Sequence, residues 1–185
     1  MKKQKVQLIV VAILLVLCIA GYFIIKNVNK NTEQEATTTT ITVTNVESDN
    51  VKEIEYIYNG EAIAFIKDGD TWYYKNDKNI TILQSEITTM LGYVCNVTTS
   101  TKIDNPEVLS VYGLDNPENT ISMTLSDGSV VQIIVGDYLS ITGEYYAMTS
   151  GDDAVYTIPS YCVSAFGKSI DELTETTETE NSSEE

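Results

Sequence analysis

The side chains of this chain that could do chemistry fall into three small groups, and two residue types are missing altogether. Asp68-Gly69-Asp70 and Asp152-Asp153 place carboxylates side by side, the kind of group a hard cation takes. They lack the spaced ligands and closing Glu of a calcium loop, and a turn role is the simpler reading. Two carboxylates facing each other across a cleft would suit glycoside hydrolysis, but nothing marks such a pair. Cys95 and Cys162 form the second group. In an exported chain they are candidates for a disulfide, provided the fold brings them together; two buried free thiols is the competing reading. No CxxC occurs, so a zinc or redox motif is not supported. The third group is aromatic. Trp72, Tyr73, Tyr145 and Tyr146, with Tyr74 beside them, are candidates for a ligand or partner surface that would stack sugars or peptides. Cross-strand packing within a sheet explains the same residues.

His is absent, which removes the commonest general base and metal ligand. All 11 basic residues are Lys, so the bidentate guanidinium clamp is absent too. No GxSxG, SxxK or phosphate-loop pattern occurs. The 11 basic and 27 acidic residues give a net charge of −16, which disfavours nucleic acid. The expectation is a protein that is not an enzyme, with no catalytic residues, no cofactor, no metal and no nucleic-acid partner.

The elements that would position these groups are mostly strands, and the fold class expected is α+β. Ile54, Tyr56 and Tyr58 alternate, Asn59-Gly60 intervenes, and Ala62, Ala64 and Ile66 alternate again, which predicts a hairpin with a type I′ turn. Asp68-Gly69 makes a second turn, before an aromatic strand at Trp72, Tyr73 and Tyr74. The order recurs: Ile121, Met123 and Leu125 lead to Asp127-Gly128, read as another I′-type turn, then residues 130–135 return. Gly136-Asp137 breaks that strand, and Tyr145-Tyr146 parallels the earlier aromatic strand. Each unit ends in a predicted helix. In the first, Ser85 is the expected cap and Ile87, Met90, Leu91 and Val94 fall at helical spacing over residues 86–95. In the second, Pro159 opens a helix over residues 161–166, with Gly167 as its stop. Two related halves, about 41–103 and 104–170, would share one core, since neither holds enough apolar residues alone.

The ends read differently. Residues 8–25, bounded by Leu8 and Ile25, carry no charge, and at ~1.5 Å per residue they reach about 27 Å, a bilayer's hydrocarbon thickness. The lipid bilayer is thus an expected partner. Lys2, Lys3 and Lys5 place residues 1–7 in the cytoplasm and everything after the helix outside the cell. A signal peptide cleaved after Ala20 is the alternative, and the apolar run past Ala20 favours a retained anchor. Residues 26–40 read as a flexible stalk and residues 171–185 as a disordered acidic tail.

The series Tyr112-Gly113-Leu114-Asp115-Asn116-Pro117, the strand at Ile121, Asp127-Gly128, Val135-Gly136-Asp137, Tyr145-Tyr146-Ala147 and Val155-Tyr156-Thr157-Ile158 resembles the bacterial family DUF4340 across residues 51–169. The acidic tail and the short second helix depart from that pattern. The resemblance implies an anchored or exported envelope protein associated with ABC-type transport systems, and it supplies no catalytic or binding residues. Expected function is therefore a non-enzymatic, single-pass, extracytoplasmic accessory protein docking to a membrane protein, with ABC transporter subunits as candidate partners. A cell-wall glycan- or peptide-binding module is the alternative, and a carboxylate hydrolase the third reading.

Overall fold

Three hairpin turns are set by the few residues that take positive φ. The computed structural model describes residues 40–117 and 119–175; the expected anchor at 8–25, nearly all of the stalk and residues 176–185 lie outside them. Asn59 at φ 50° and Gly60 at φ 81° make the type I′ turn between β2 (Val51–Tyr58) and β3 (Glu61–Asp68). Between β3 and β4 (Thr71–Tyr74) only Gly69 of the two-residue loop is positive, at φ 60°, the type II′ pattern. The third turn corrects the expectation. Between β7 (Asn119–Leu125) and β8 (Val130–Leu139) only Gly128 is positive, at φ 86°. The Gly128 N–H donates to Leu125 O at 3.0 Å and the Leu125 N–H to Ser129 O at 2.8 Å. This is a three-residue loop with a bulge at glycine, not a I′ turn. The Asp127 carboxylate accepts from the Ser129 N–H at 2.9 Å and hydroxyl at 2.7 Å, which holds Asp127 out of the left-handed region.

With β9 (Glu144–Thr149), β10 (Val155–Pro159) and β6 (Lys102–Ile103), these strands form an eight-stranded sheet in the order β4-β3-β2-β7-β8-β9-β10-β6. All its pairings are antiparallel. A second sheet pairs β1 (Ile41–Thr42) with β5 (Thr98–Thr99). The fold is strand-rich with few helices. β2 and β7 are adjacent at the centre, and the chain reads outward as 2-3-4 on one side and 7-8-9 on the other.

Register partners share a face of the sheet, and one face is apolar. Ile54 lies opposite both Phe65 and Met123, and Ile121 opposite Ile133, the members of all three pairs being fully buried. Helix α1 (Gln84–Val94) covers that face with Ile87, Met90, Leu91 and Val94, at the spacing the sequence shows. Its start differs from expectation: Leu83 is the N-cap, no side chain caps it, and Ser85 lies inside the first turn. Helix α2 (Ser160–Ser164) is shorter than the predicted 161–166. Past its end Phe166 packs edge-on against Tyr56 at 5.5 Å, and the Tyr56 hydroxyl donates to Lys168 O at 2.7 Å.

Residues 171–175, expected to open the tail, belong to the fold. A 3-10 turn at Asp171–Leu173 drops Leu173 into the core, fully buried. The Leu83 N–H donates to Leu173 O at 2.9 Å, the Glu175 N–H to Thr81 O at 3.0 Å, and Ile82 bridges Thr174. Order therefore continues through Glu175. Among the described residues no helix is long and apolar enough to cross a membrane.

Both sheet edges are guarded. At the β4 edge the Gln84 amide mimics a neighbouring strand: its Oε1 accepts from the Trp72 N–H at 2.8 Å and its Nε2 donates to Trp72 O at 2.9 Å. At the other edge β6 is only two residues long, with Lys102 bound to Asp104 at 2.9 Å. Gln84→Ala is expected to cost about 1 kcal/mol, because water replaces both bonds at this part-exposed edge. Urea unfolding monitored by Trp72 fluorescence measures the shift in midpoint.

Candidate ligand-binding cleft

Two loops meet backbone to backbone on this domain, and glycine permits the contact. The 3-10 turn Leu109–Tyr112 ends at Gly113, which sits at φ 68° and reverses the chain so that Leu114 is buried. Facing it, the β8–β9 register shifts between Val135 and Tyr138, a bulge that carries Gly136 and Asp137. A Cβ on Gly136 would lie 2.1 Å from Tyr112 O and 2.9 Å from Leu114 Cγ. A Cβ on Gly113 would lie 2.3 Å from Asp137 Oδ1 and 2.8 Å from the Asp137 backbone nitrogen. Neither position accepts a side chain without moving the other loop.

That contact closes one wall of a cleft of about 940 Å³. The Asn59-Gly60 tip and residues 163–167, at and beyond the end of α2, form the rest of its rim. Asn119 ties these parts together: its Oδ1 accepts from the Ile57 N–H at 3.1 Å and its Nδ2 donates to Phe166 O at 3.4 Å. The lining is aromatic and acidic, with Tyr58, Tyr138 and Tyr145 beside Asp115 and Asp137. The Tyr138 and Tyr145 rings pack at 4.9 Å.

The four aromatic candidates do not converge on one platform. Trp72 is 5% exposed and belongs to the core, with the Lys67 ammonium 6.0 Å from its ring. Tyr73 follows it on the opposite face of β4, half-buried, with the Lys78 ammonium 5.5 Å from its ring. Four strands separate β4 from Tyr145 and Tyr146 on β9. Those two also point to opposite faces, as successive strand residues must. Tyr145 lines the cleft, whereas Tyr146 packs edge-on against Tyr112 at 5.0 Å. Residue type alone does not mark Tyr138, Tyr58 or Asp137 as lining a site. The signal for them was the Gly113 and Gly136 pair, whose close approach is invisible without the fold.

The other candidates have structural roles. Asp68 pairs with Lys78 at 3.6 Å. Asp152 accepts from the Tyr156 hydroxyl and from the Ala154 N–H, which together hold its carboxyl below the usual range. Among the described residues no group of three or more His, Cys, Asp or Glu is placed to hold a metal.

The candidate disulfide does not form: Cys95 and Cys162 are free thiols, both buried. Cys95 Sγ lies 3.9 Å from Met123 Sδ under the sheet, while the Cys162 thiol donates to Tyr93 O at 3.2 Å. Burial pushes each thiol up to about 11. The folded protein therefore keeps protons that the unfolded chain releases from about pH 8.5 upward. Stability contributed by the neutral thiols is intact below the unfolded pKa and is lost as pH rises through about 11. Native protein at pH 8 is expected to resist a thiol reagent at both positions and to react at both once unfolded in urea. Prompt labelling of the folded protein, read by mass spectrometry, would contradict the burial.

Residues 72–185 match the family described as a domain of unknown function, DUF4340. The chain belongs to the DUF4340 family. The match takes in both loops that wall the cleft, at 112–117 and 135–137, whereas the whole β2–β3 hairpin precedes it. The Asn59-Gly60 part of the rim thus lies outside the matched DUF4340 segment. No curated protein and no solved structure matches the chain.

Proposed function

We propose that this DUF4340 chain is a non-enzymatic, membrane-anchored accessory protein of the cell envelope. Residues 8–25 hold it in the bilayer, the domain stands outside the cell, and the cleft docks a membrane protein. The observation that carries the reading is the cleft itself, a concavity of about 940 Å³ whose wall is fixed by a contact between two glycines' loops. A site of that size, lined by tyrosines with a few charged groups, suits recognition of a protruding segment. The apolar run at 8–25 and the lysines before it support the placement. The family resemblance supports subunits of an ABC-type transport system as the partner.

Affinity recovery of the full chain from gently solubilised membranes tests the proposal. The same membrane protein is expected to return with the wild type, and to be lost with the Tyr138→Ala/Tyr145→Ala double variant. Recovery of the protein alone, or of a partner indifferent to that variant, would remove the docking reading. Protease added to intact cells tests the topology, since the domain must be digested from outside.

A second reading has one observation in its favour. Paired tyrosine rings beside carboxylates also suit a cell-wall glycan or peptide. Sedimentation with purified cell wall, lost on Tyr145→Ala, would support it; Trp72→Ala is unsuitable because Trp72 is core.

A further inference from the structure

The cleft is unbalanced in charge. Asp115 and Asp137 line it, and among the described residues no lysine does. Among the described residues neither carboxylate is in an ion pair, while Lys75, Lys78, Lys102 and Lys168 are bound to Glu53, Asp68, Asp104 and Glu86 elsewhere. Asp137 lies close beside Gly113, where an added Cβ would stand 2.3 Å from its Oδ1 and 2.8 Å from its backbone nitrogen. Next to it stand the rings of Tyr138 and Tyr145, packed at 4.9 Å and tilted by 51°.

Three kinds of occupant can be compared. An anion meets two carboxylates and a chain of net charge −16. A neutral apolar group strips water from two carboxylates and gives nothing back. A cation gains from the carboxylates and from the negative faces of the tyrosine rings at once. The volume of about 940 Å³ then favours a side chain with its flanking backbone over a bare ion.

We propose that the cleft receives a basic side chain, Lys or Arg, presented on an extended segment of a partner protein. This rests on the reading that the cleft docks a partner, and it adds the chemistry of the docked group. The chain's own charge assists by drawing basic segments toward it over distances set by salt.

The probe is a short blocked peptide, Gly-Leu-Lys-Leu-Gly, with counterparts in which acetyl-lysine or glutamate replaces the lysine. Each is titrated into the isotope-labelled full chain in detergent, and the amide resonances of Gly113, Asp137 and Tyr145 are followed. The lysine peptide is expected to shift them saturably and to weaken as salt rises. Acetyl-lysine, or the near-isosteric Asp115→Asn/Asp137→Asn double variant, is expected to weaken binding roughly fivefold. Equal binding of the acetyl-lysine peptide, tighter binding of the glutamate peptide, or no shift with any peptide would overturn the proposal. Recovery from membranes separates the two levels. A partner lost with the tyrosine variant but retained by the Asn variant leaves docking intact and sinks the cation. A partner indifferent to both sinks docking itself. Binding of purified cell wall that needs both carboxylates would overturn a protein partner in favour of a wall-peptide amine.

Discussion

Gly136→Ala is expected to destabilise the domain by about 3 kcal/mol and to open the wall of the cleft. The added methyl carbon would stand 2.1 Å from the Tyr112 carbonyl oxygen, a backbone atom that a side-chain rotation cannot move. One loop must retreat. Retreat of the Tyr112 loop would withdraw Leu114 from its buried site and part Tyr112 from Tyr146, whose rings meet at 5.0 Å. Retreat of the bulge would break the β8–β9 pairing that resumes at Tyr138 opposite Tyr145. Gly128→Ala is the control, since a Cβ there meets nothing within 4 Å and only the φ of 86° is unfavourable. That substitution should cost about 1 kcal/mol. The difference between the two, read from urea midpoints at unchanged slope, isolates the loop contact from backbone conformation. Equal losses would mean that the loops yield freely and that the wall is not fixed. A larger loss for Gly136→Ala, with displaced Tyr138 and Tyr145 resonances, is the expected outcome.

The same pair of glycines shows why the site was harder to read than the fold. Alternation is a local signal, so Ile54, Tyr56, Ile121 and Met123 announce one face of a sheet from the sequence alone. The helical spacing of Ile87, Met90, Leu91 and Val94 is equally local, and these residues are the ones α1 buries. Asn59-Gly60 names its own turn, because both residues must tolerate positive φ. Asp127-Gly128 misleads, because the Ser129 contacts that keep Asp127 out of that region come from the turn's particular neighbours. The aromatic residues mislead in a different way. Trp72 and Tyr145 occupy comparable places in the two repeated patterns, yet one lies buried on an edge strand and the other lines the cleft from an inner strand. Residue type cannot distinguish them; strand order can. The cleft depends on contacts between residues 112–114 and 136–137, far apart in the chain, and periodicity carries no record of them.

Leu173→Ala is expected to cost about 3 kcal/mol and to lower the melting temperature by roughly 10 °C. The composition around it argues the opposite, since an acidic, Thr-rich stretch has too little apolar surface to order itself. One buried leucine changes the balance when its neighbours also bond. Leu173 is fully buried beside Ile82 and α1, and its carbonyl accepts from the Leu83 N–H at the helix start, where no side chain caps. The terminal strand-like bridge at Thr174 continues the same attachment. Removing the side chain leaves a cavity and frees both ends of that connection. Val108→Ala, at a valine 66% exposed, should shift the melting temperature by no more than a degree or so. A chain stopped after Ile170 should lose at least as much stability as Leu173→Ala, because it also leaves the Leu83 N–H and the Thr81 carbonyl without their partners. If Leu173→Ala and the shorter chain both kept the parent melting temperature, residues 171–175 would not be part of the folded unit, and the domain would end at Ile170 as its composition suggests.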